Sequence, residues 1–348
     1  MILRNGRMYV LDKDIEAVLS GAQKPDPLVV RANAGDCINI QFTNRLEDSS
    51  ASLHLDSPTL DPLGSLGINV GFNPKHTADP GESISYRYYV ESELGAILIR
   101  DFGNLFRNPR KGLYGALIVE PAGSTYLDPV TGDPVESGIA AVIAHPDNPD
   151  FREFVTLFHD SDPDIGLFVM PYDEEVNRLV AVNYRLEPLS LRLAEFGIAL
   201  DGDQIPPELL DHSRTLFNSE VFGDPNTNVF ETYAGEPVRF RVLSGFSEQN
   251  QVFAVEGHQW EHMPSLPGSD VLSSRHLPST GVLNIELDRA GGPAERPGDY
   301  QWGNHRLPYQ KAGQWGILRV LPQDSSDTLI PLPDCRGTTH ASETPLTH

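Results

Sequence analysis

Histidines are the residues of this chain whose chemistry best suits a metal ion, and two of the eleven lie close together. His258 and His262 are four residues apart in the stretch Gly257-His-Gln-Trp-Glu-His-Met263. On an extended strand, side chains at this spacing share a face but lie ~13 Å apart, too far to bind one ion. We therefore expect structural roles for both, unless the chain turns between them.

Two acidic loops offer oxygen ligands instead. They are Asp147-Asn-Pro-Asp150 and Asp160-Ser-Asp-Pro-Asp164. Carboxylates suit calcium or manganese, but neither loop has EF-hand spacing. Asp next to Pro is also typical of solvated turns, so a cation site and a simple turn both stay open.

Other catalytic patterns are missing from the sequence. It contains no Gly-x-Ser-x-Gly, no Gly-x-x-x-x-Gly-Lys-Ser/Thr and no His-Glu-x-x-His, so hydrolase and kinase readings have no support. The only two cysteines are Cys37, in an alternating apolar run, and Cys335, in a polar tail. They indicate no disulfide framework and no Cys-x-x-Cys site, and we expect Cys37 to be a small buried residue.

The charge balance limits the partners. Acidic residues outnumber basic ones 49 to 26, for a net charge of −23, which disfavours nucleic acid and anionic membrane surfaces. No apolar run approaches the ~18 residues that span a bilayer, and the first residues lack the apolar core of an export signal. We predict no membrane insertion, while the compartment stays open.

The elements that must position any site are short strands. Numerous Gly and Pro residues separate runs rich in Val, Ile, Phe and Tyr, which favours β-structure. The runs Cys37–Thr43 and Val238–Val242 alternate apolar and polar residues, as half-buried strands do. Similar turns precede them, Asn33-Ala-Gly-Asp36 and Tyr233-Ala-Gly-Glu236.

Landmarks of the first half recur in the second. Gly35 and Gly112 are 77 positions apart, and Gly235 and Gly313 are 78 apart. This repetition indicates an internal duplication. Each copy, of roughly 100 residues, fits an antiparallel Greek-key β-sandwich.

The sequence thus predicts an all-β protein with two sandwiches. We place the first at residues 1–125 and the second at 231–322. Residues 126–230 are predicted to be a connecting region that begins or borders the second sandwich and contains a strand at Phe151–His159. Residues 323–348 are predicted to be a flexible tail.

Glycines and tryptophans near the strands have structural explanations. Gly112, Gly115, Gly313 and Gly316 suit tight strand entries, where a side chain would clash or φ is positive. We expect the three tryptophans to pack in cores; they are Trp260, Trp302 and Trp315.

Several phrases together carry a family resemblance. They are PLVVRANAGDCINIQFTNRL, ESELGAILIRDFGN, KGLYGALIVEPAGSTYLDPVTGDPV, DFREFVTLFHD and GDYQWGNHRLPYQKAGQWGILRV. From about residue 5 to 322 the chain resembles bacterial multicopper oxidases, especially the large manganese-oxidase-like branch. The resemblance implies two cupredoxin-like domains, with copper bound by imidazoles and a cysteine thiolate.

The copper-ligand positions of the first sandwich are largely substituted. By resemblance, the early His-x-His pair falls on His54 and Asp56, so one imidazole remains. The later pair falls on Arg100 and Phe102, flanking Asp101, and neither imidazole is left. A guanidinium stands where cupric ions would lie, and its charge opposes copper.

In the second sandwich, two further motifs are aligned. The family's His-Pro-x-His-x-His-Gly-His overlays the stretch from Gln251 to His258, and only its last histidine, normally not a ligand, is present. The cysteine motif overlays Gly303, Asn304 and His305, with Tyr309 in place of its last histidine. Asn304 takes the place of the redox cysteine and Gln314 that of an axial ligand. We list His54, Asp56 and His305 as remnant metal positions and no catalytic residue.

Two function classes follow from the resemblance. The first is a non-catalytic structural or interaction module, or one half of a split oxidase, that carries little or no copper. The alternative is a copper-dependent oxidase of metal ions or phenols, with ligands completed by another chain. The partner would be a ligand-bearing oxidase chain or a further copy in a homo-oligomer. The family is commonly extracytoplasmic.

Overall fold

Short strands and short helices make up the computed structural model of the chain. It describes residues 6–56, 61–161, 179–195, 213–247, 249–323, 325 and 328–333. The strands of the first half are β1 (Leu28–Asn33), β2 (Cys37–Thr43), β3 (His54–Leu55), β4 (Ser83–Tyr89), β5 (Gly95–Arg100) and β6 (Tyr114–Glu120).

Thirteen further strands follow within the described ranges. They are β7 (Thr125–Leu127), β8 (Ala140–Ala144), β9 (Phe151–Ser161), β10 (Leu179–Val182), β11 (Val229–Tyr233), β12 (Val238–Ser247), β13 (Gln251–Val255), β14 (Trp260–Glu261), β15 (Val271–Leu272), β16 (Ser274–Leu277), β17 (Val282–Leu287), β18 (Gly298–Asn304) and β19 (Trp315–Leu321). The described α-helices are α1 (Ile15–Ser20), α2 (Leu189–Glu195), α3 (Ser219–Phe222) and α4 (Leu307–Lys311). No helix among the described residues is long and apolar enough to cross a membrane.

The first sandwich packs a four-stranded sheet on a two-stranded sheet. The larger sheet has the order β1-β6-β5-β3, and β2 pairs with β4 in the smaller one. Alternate residues of each strand face the core between the sheets, where Leu55, Tyr86 and Leu117 are each about 1% exposed. The opposite face of the larger sheet is also buried.

The second sandwich is larger. One sheet has the order β17-β12-β9-β8-β7, with β10 beside β9, and the other has the order β11-β19-β18-β13-β16. An aromatic core fills the space between them, and Trp302 and Phe240 are fully buried within it. The all-β prediction with two sandwiches is therefore confirmed.

The two halves repeat the same pairing. β1 runs parallel to β6, as β11 does to β19, and β2 pairs antiparallel with β4, as β12 does with β17. The expected constraint on the strand-entry glycines is met: φ is +102° at Gly112 and +113° at Gly313. At Gly316, a Cβ would approach Trp302 to 2.4 Å. All three tryptophans are buried, as predicted.

The region between the predicted sandwiches is a structural part of the second one. Strands β7, β8, β9 and β10 come from residues 126–230 or their margin and supply four of the six strands of one sheet. The predicted strand Phe151–His159 is present as β9 (Phe151–Ser161), the longest described strand. It pairs with β12 in parallel, and this pairing draws the region into the sandwich.

The interface between the two sandwiches is buried and contains both apolar and charged side chains. Leu98 and Tyr114 of the first meet Leu157 and Leu243 of the second. The ion pair of Arg31 with Glu153, 2.5 Å, is fully buried there. Arg241 donates to Glu153 (2.9 Å) and also pairs with Glu120, so each buried carboxylate has a guanidinium partner.

Two expectations need correction. Cys37 is exposed, because it lies on the outward-facing side of β2. The predicted flexible tail, residues 323–348, contains packed residues, since Leu329 and Leu332 are 6% and 1% exposed. Residues 334–348, including Cys335, lie outside the described residues.

Candidate functional site

The first remnant site is centred on His54, in the edge strand β3. His54 lies opposite Arg100 of β5 in the strand register. Its Nδ1 lies 2.5 Å from the carbonyl oxygen of Leu66, and its Nε2 lies 3.0 Å from Oδ1 of Asp56. Both ring nitrogens therefore face acceptor oxygens, and neither nitrogen points into free space.

Arg100 completes an ion-paired triad with these residues. Its Nη2 donates to Oδ1 of Asp56 at 2.7 Å, and its guanidinium lies over the ring of Phe102, 5.0 Å from the centroid. Burial raises the pKa of Asp56, but hydrogen bonds from His54 and Arg100 outweigh burial and hold this pKa below its usual value. The side chains of Asp56 and Arg100 are both 30% exposed, so the triad forms a partly open rim.

Asp101 has a different role from its neighbours. It is fully buried and accepts hydrogen bonds from the backbone N–H groups of Ser52 (2.7 Å) and Asn104 (3.0 Å). The side chain of Asn108 donates to it at 2.8 Å. Burial raises the pKa of Asp101, and these donors offset part of that rise. Asp101 thus fixes the loop after β5, a role that sequence reasoning missed.

The residues of this rim do not fit a copper ion. Copper takes neutral imidazoles, whereas this rim offers one imidazole engaged at both nitrogens, a carboxylate and a guanidinium. The ring of Phe102 also lies 5.0 Å from that of His54 and occupies the space beside it. A cation entering here would meet the Arg100 charge directly.

The second remnant site is a buried cluster of neutral side chains. Asn304 donates through Nδ2 to Oε1 of Gln251 and to Oε1 of Gln314, the latter at 2.8 Å. Its Oδ1 accepts from the backbone N–H of Val252 and of Arg306, each at 3.1 Å. The three amide side chains are at most 1% exposed. We call them the amide cluster.

Hydrogen bonds extend from this cluster to β9. Gln314 donates to the carbonyl oxygen of His159 at 2.8 Å, and Tyr309 donates to Oδ2 of Asp160 at 2.9 Å. Asn304 and Gln314, the positions aligned with the redox cysteine and its axial ligand, are therefore brought together. They supply amides and a phenol rather than thiolate and imidazole, so the cluster does not fit a blue copper ion.

His305 lies at the edge of this second site. Its Nε2 is 3.4 Å from Oε1 of Glu256, and the two side chains are 29% and 58% exposed. Glu256 follows β13, and His305 follows β18, its neighbour in the sheet. His54 and His305 contact different partners in different sandwiches.

His159 is a buried histidine that sequence reasoning placed only as the end of a strand. It is 2% exposed, and neither ring nitrogen has a hydrogen-bond partner within the part of the chain that the structure describes. Its ring lies between Tyr114 of the first sandwich and Phe246 of the second, with centroids 5.7 and 5.6 Å away. Burial lowers the pKa of His159 to about 4, so the ring is neutral at pH 7.

The remaining candidates behave as structural groups. His258 is buried, and its Nε2 accepts from the backbone N–H of Gly291 at 3.0 Å. Asp150 accepts from the backbone N–H of His145 at 3.1 Å, as expected for a turn. Asp162 and Asp164 lie outside the described residues. No group of three or more His, Cys, Asp or Glu within the described ranges is placed to hold a metal ion.

Comparison with known sequences gives one short match. No family model matches the chain. A stretch of 115 residues, 31% of this chain, is 30% identical to an L-ascorbate oxidase of Cucumis sativus. The match spans only 18% of the length of that relative.

Comparison with solved structures identifies the fold. A multicopper oxidase aligns with a TM-score of 0.52 at 19% identity, covering 85% of this chain and 79% of its own. The copper nitrite reductase of Nitrosomonas europaea aligns with a TM-score of 0.52 at 15% identity, covering 86% and 84%. The blue copper oxidase of the same organism aligns with a TM-score of 0.50 at 13% identity, covering 85% and 76%. The chain therefore has a cupredoxin-like, multicopper-oxidase-like fold, as predicted.

Proposed function

We propose that this chain is a multicopper-oxidase-like protein, of the manganese-oxidase-like branch, that carries no catalytic copper by itself. In this proposal it is a structural or interaction module, or one half of a split oxidase. The ion-paired triad of His54, Asp56 and Arg100 carries the proposal. It places a permanently charged guanidinium, paired and packed on Phe102, at aligned copper positions.

The amide cluster supports the same conclusion independently. A redox copper of this fold needs a thiolate, and the aligned residue, Asn304, has each amide group engaged. Releasing those groups to admit a metal would leave buried partners without hydrogen bonds. Both sites thus have stable arrangements that do without an ion.

A second candidate function is a copper-dependent oxidase of metal ions or phenols whose ligands come from another chain. One observation favours it: His305 and Glu256 remain partly exposed, so a ligand-bearing chain or a second copy could reach them. The activity, substrate and partner of such an assembly are part of the proposal, because the matched relative is much longer than the match.

Oxygen consumption by the chain alone tests the first candidate. The purified full chain, incubated with cupric ion and desalted, would be assayed with a phenol and with Mn²⁺ as electron donors. We expect no turnover above a no-protein control. Copper-dependent turnover by the chain alone would overturn the non-catalytic proposal.

A triple substitution tests the role of the first rim. Asp56→His, Arg100→His and Phe102→His restore the aligned imidazoles, and we expect the variant to gain tightly held copper. The matched control places the same changes at exposed positions, Asp147→His, Arg289→His and Phe106→His. Equal copper uptake by both variants would show that the rim does not position histidines for copper binding any better than exposed surface positions do.

A further inference from the structure

A short part of the predicted tail lies in a groove on the second sandwich. We define the latch segment as residues 328–333, Thr-Leu-Ile-Pro-Leu-Pro. The side chains of Leu329 and Leu332 are buried, with 6% and 1% exposure. Thr328, which precedes Leu329, and Pro331, which lies between the two leucines, are exposed. Two leucines three residues apart therefore anchor the segment.

The groove also binds the backbone of the segment. The hydroxyl of Tyr233 donates to the carbonyl oxygen of Leu329 at 2.9 Å and accepts from its N–H at 3.3 Å. The N–H of Ile330 donates to the carbonyl oxygen of Pro129 at 2.9 Å. The guanidinium of Arg152 donates to the carbonyl oxygen of Ile330. Contacts to backbone groups do not depend on side-chain identity, which is typical of peptide-binding grooves.

Arg152 is a buried cation at the base of the groove. It is fully buried, pairs with Glu236 at 3.0 Å, and lies 5.5 Å from the ring centroid of Tyr233. One of its nitrogens, Nη1, is buried and has no hydrogen-bond partner among the described residues. The latch segment therefore leaves one donor of the groove unused.

We propose that this groove is a docking site for an extended Leu-x-x-Leu peptide of a partner protein, and that the latch segment occupies it as an intramolecular competitor. The segment lies outside both sheets of the second sandwich, so it can leave without breaking strand pairs. A partner peptide with leucines at the same spacing forms the same backbone hydrogen bonds. The proposal is independent of whether the chain binds copper.

A binding experiment on the full chain tests this. The probe is a fluorescein-labelled Thr-Leu-Ile-Pro-Leu-Pro peptide, and the readout is fluorescence anisotropy. The release variant is Leu329→Asp with Leu332→Asp, which makes burial of the segment unfavourable. Its matched control is Thr328→Asp with Pro331→Asp, which adds the same charge at exposed positions of the same segment.

We expect the release variant to bind one peptide per chain at least about tenfold more tightly than the wild type or the matched control. Adding Tyr233→Phe to the release variant should weaken binding by about tenfold, because two hydrogen bonds are lost. Circular dichroism and the thermal transition establish that each variant is folded.

Two results would overturn the proposal. One is that the release variant is folded but binds no peptide, and that the single variant Leu332→Asp is also folded and binds no peptide. The other is equal binding of a peptide in which both leucines are replaced by aspartate, which would show that the leucines do not direct docking.

Discussion

The two sites at the positions aligned with copper ligands contain opposite kinds of side chain. In the first sandwich, charged groups pair at a rim where Asp56 and Arg100 are each 30% exposed. In the second, neutral amides form a cluster that is at most 1% exposed. Water helps to solvate the charges of the rim, whereas a buried charge in the second site would need a full set of partners. Exposure therefore decides whether each site can hold charged or neutral side chains.

The largest effect is expected when the central residue of the amide cluster is replaced. Asn304→Leu leaves Gln251 and Gln314 with unpaired buried groups, and we expect a loss of about 4 kcal/mol in the free energy of unfolding. Urea denaturation measures it. Gln310→Ala, a half-buried amide on α4, is the control and should cost less than about 1 kcal/mol. Equal losses would mean that burial does not distinguish the two amides.

A second test concerns the neutral histidine beside the cluster. Because the pKa of His159 in the folded chain is about 4, below its ordinary value, the unfolded chain binds a proton first as the pH falls. Stability from His159 is present above pH 6.5 and is lost between about pH 6.5 and 4, by up to about 3 kcal/mol.

Replacing this histidine should remove that pH dependence. We expect His159→Phe to lose less stability than the wild type between pH 7 and 4, as measured by urea denaturation at both pH values. His276→Phe is the control, since His276 is exposed. An unchanged pH dependence in His159→Phe would mean that His159 is not the group that titrates.

The smallest effect is expected at the rim. Arg100→Ala should lower the free energy of unfolding by about 1 kcal/mol or less, because the pair with Asp56 is partly exposed. The same change should raise the pKa of Asp56, and carbon-detected NMR titration would follow it. The stability that this low pKa provides is present above the ordinary pKa of an aspartate and is lost as the pH falls further.

Arg107→Ala is the matched control for the rim. Arg107 pairs with Asp48, and both side chains are about half exposed, so its removal should leave the pKa of Asp56 unchanged. A loss of several kcal/mol on Arg100→Ala would contradict the description of the rim as a weakly held, solvated pair.

Local patterns were sufficient for much of the fold. The turns before Cys37 and Val238, and the glycines at 112 and 313, predicted strands and entries that the structure contains. The motif alignment marked Gln251, Asn304 and Gln314 separately, and in the structure these residues are hydrogen-bonded to one another. Each of these signals depends on a few neighbouring residues or on the repeat.

Features that depend on distant strands could not be predicted. His159 is enclosed by Tyr114 and by Phe246, and the latter follows a bulge in β12 that no sequence pattern marks. The burial of Leu329 depends on Tyr233, almost a hundred residues earlier. Cys37 is exposed because it lies on the outward-facing side of β2. The alternation of apolar and polar residues along the strand does not by itself identify which side faces outward.

Copper per chain is the measurement that tests the central claim most directly. The full chain would be incubated with excess cupric ion, desalted, and analysed by metal mass spectrometry and visible absorption. We predict less than about one copper per chain and no blue absorption, because both aligned sites lack a suitable donor set. Several tightly held coppers per chain, with or without blue colour, would contradict it.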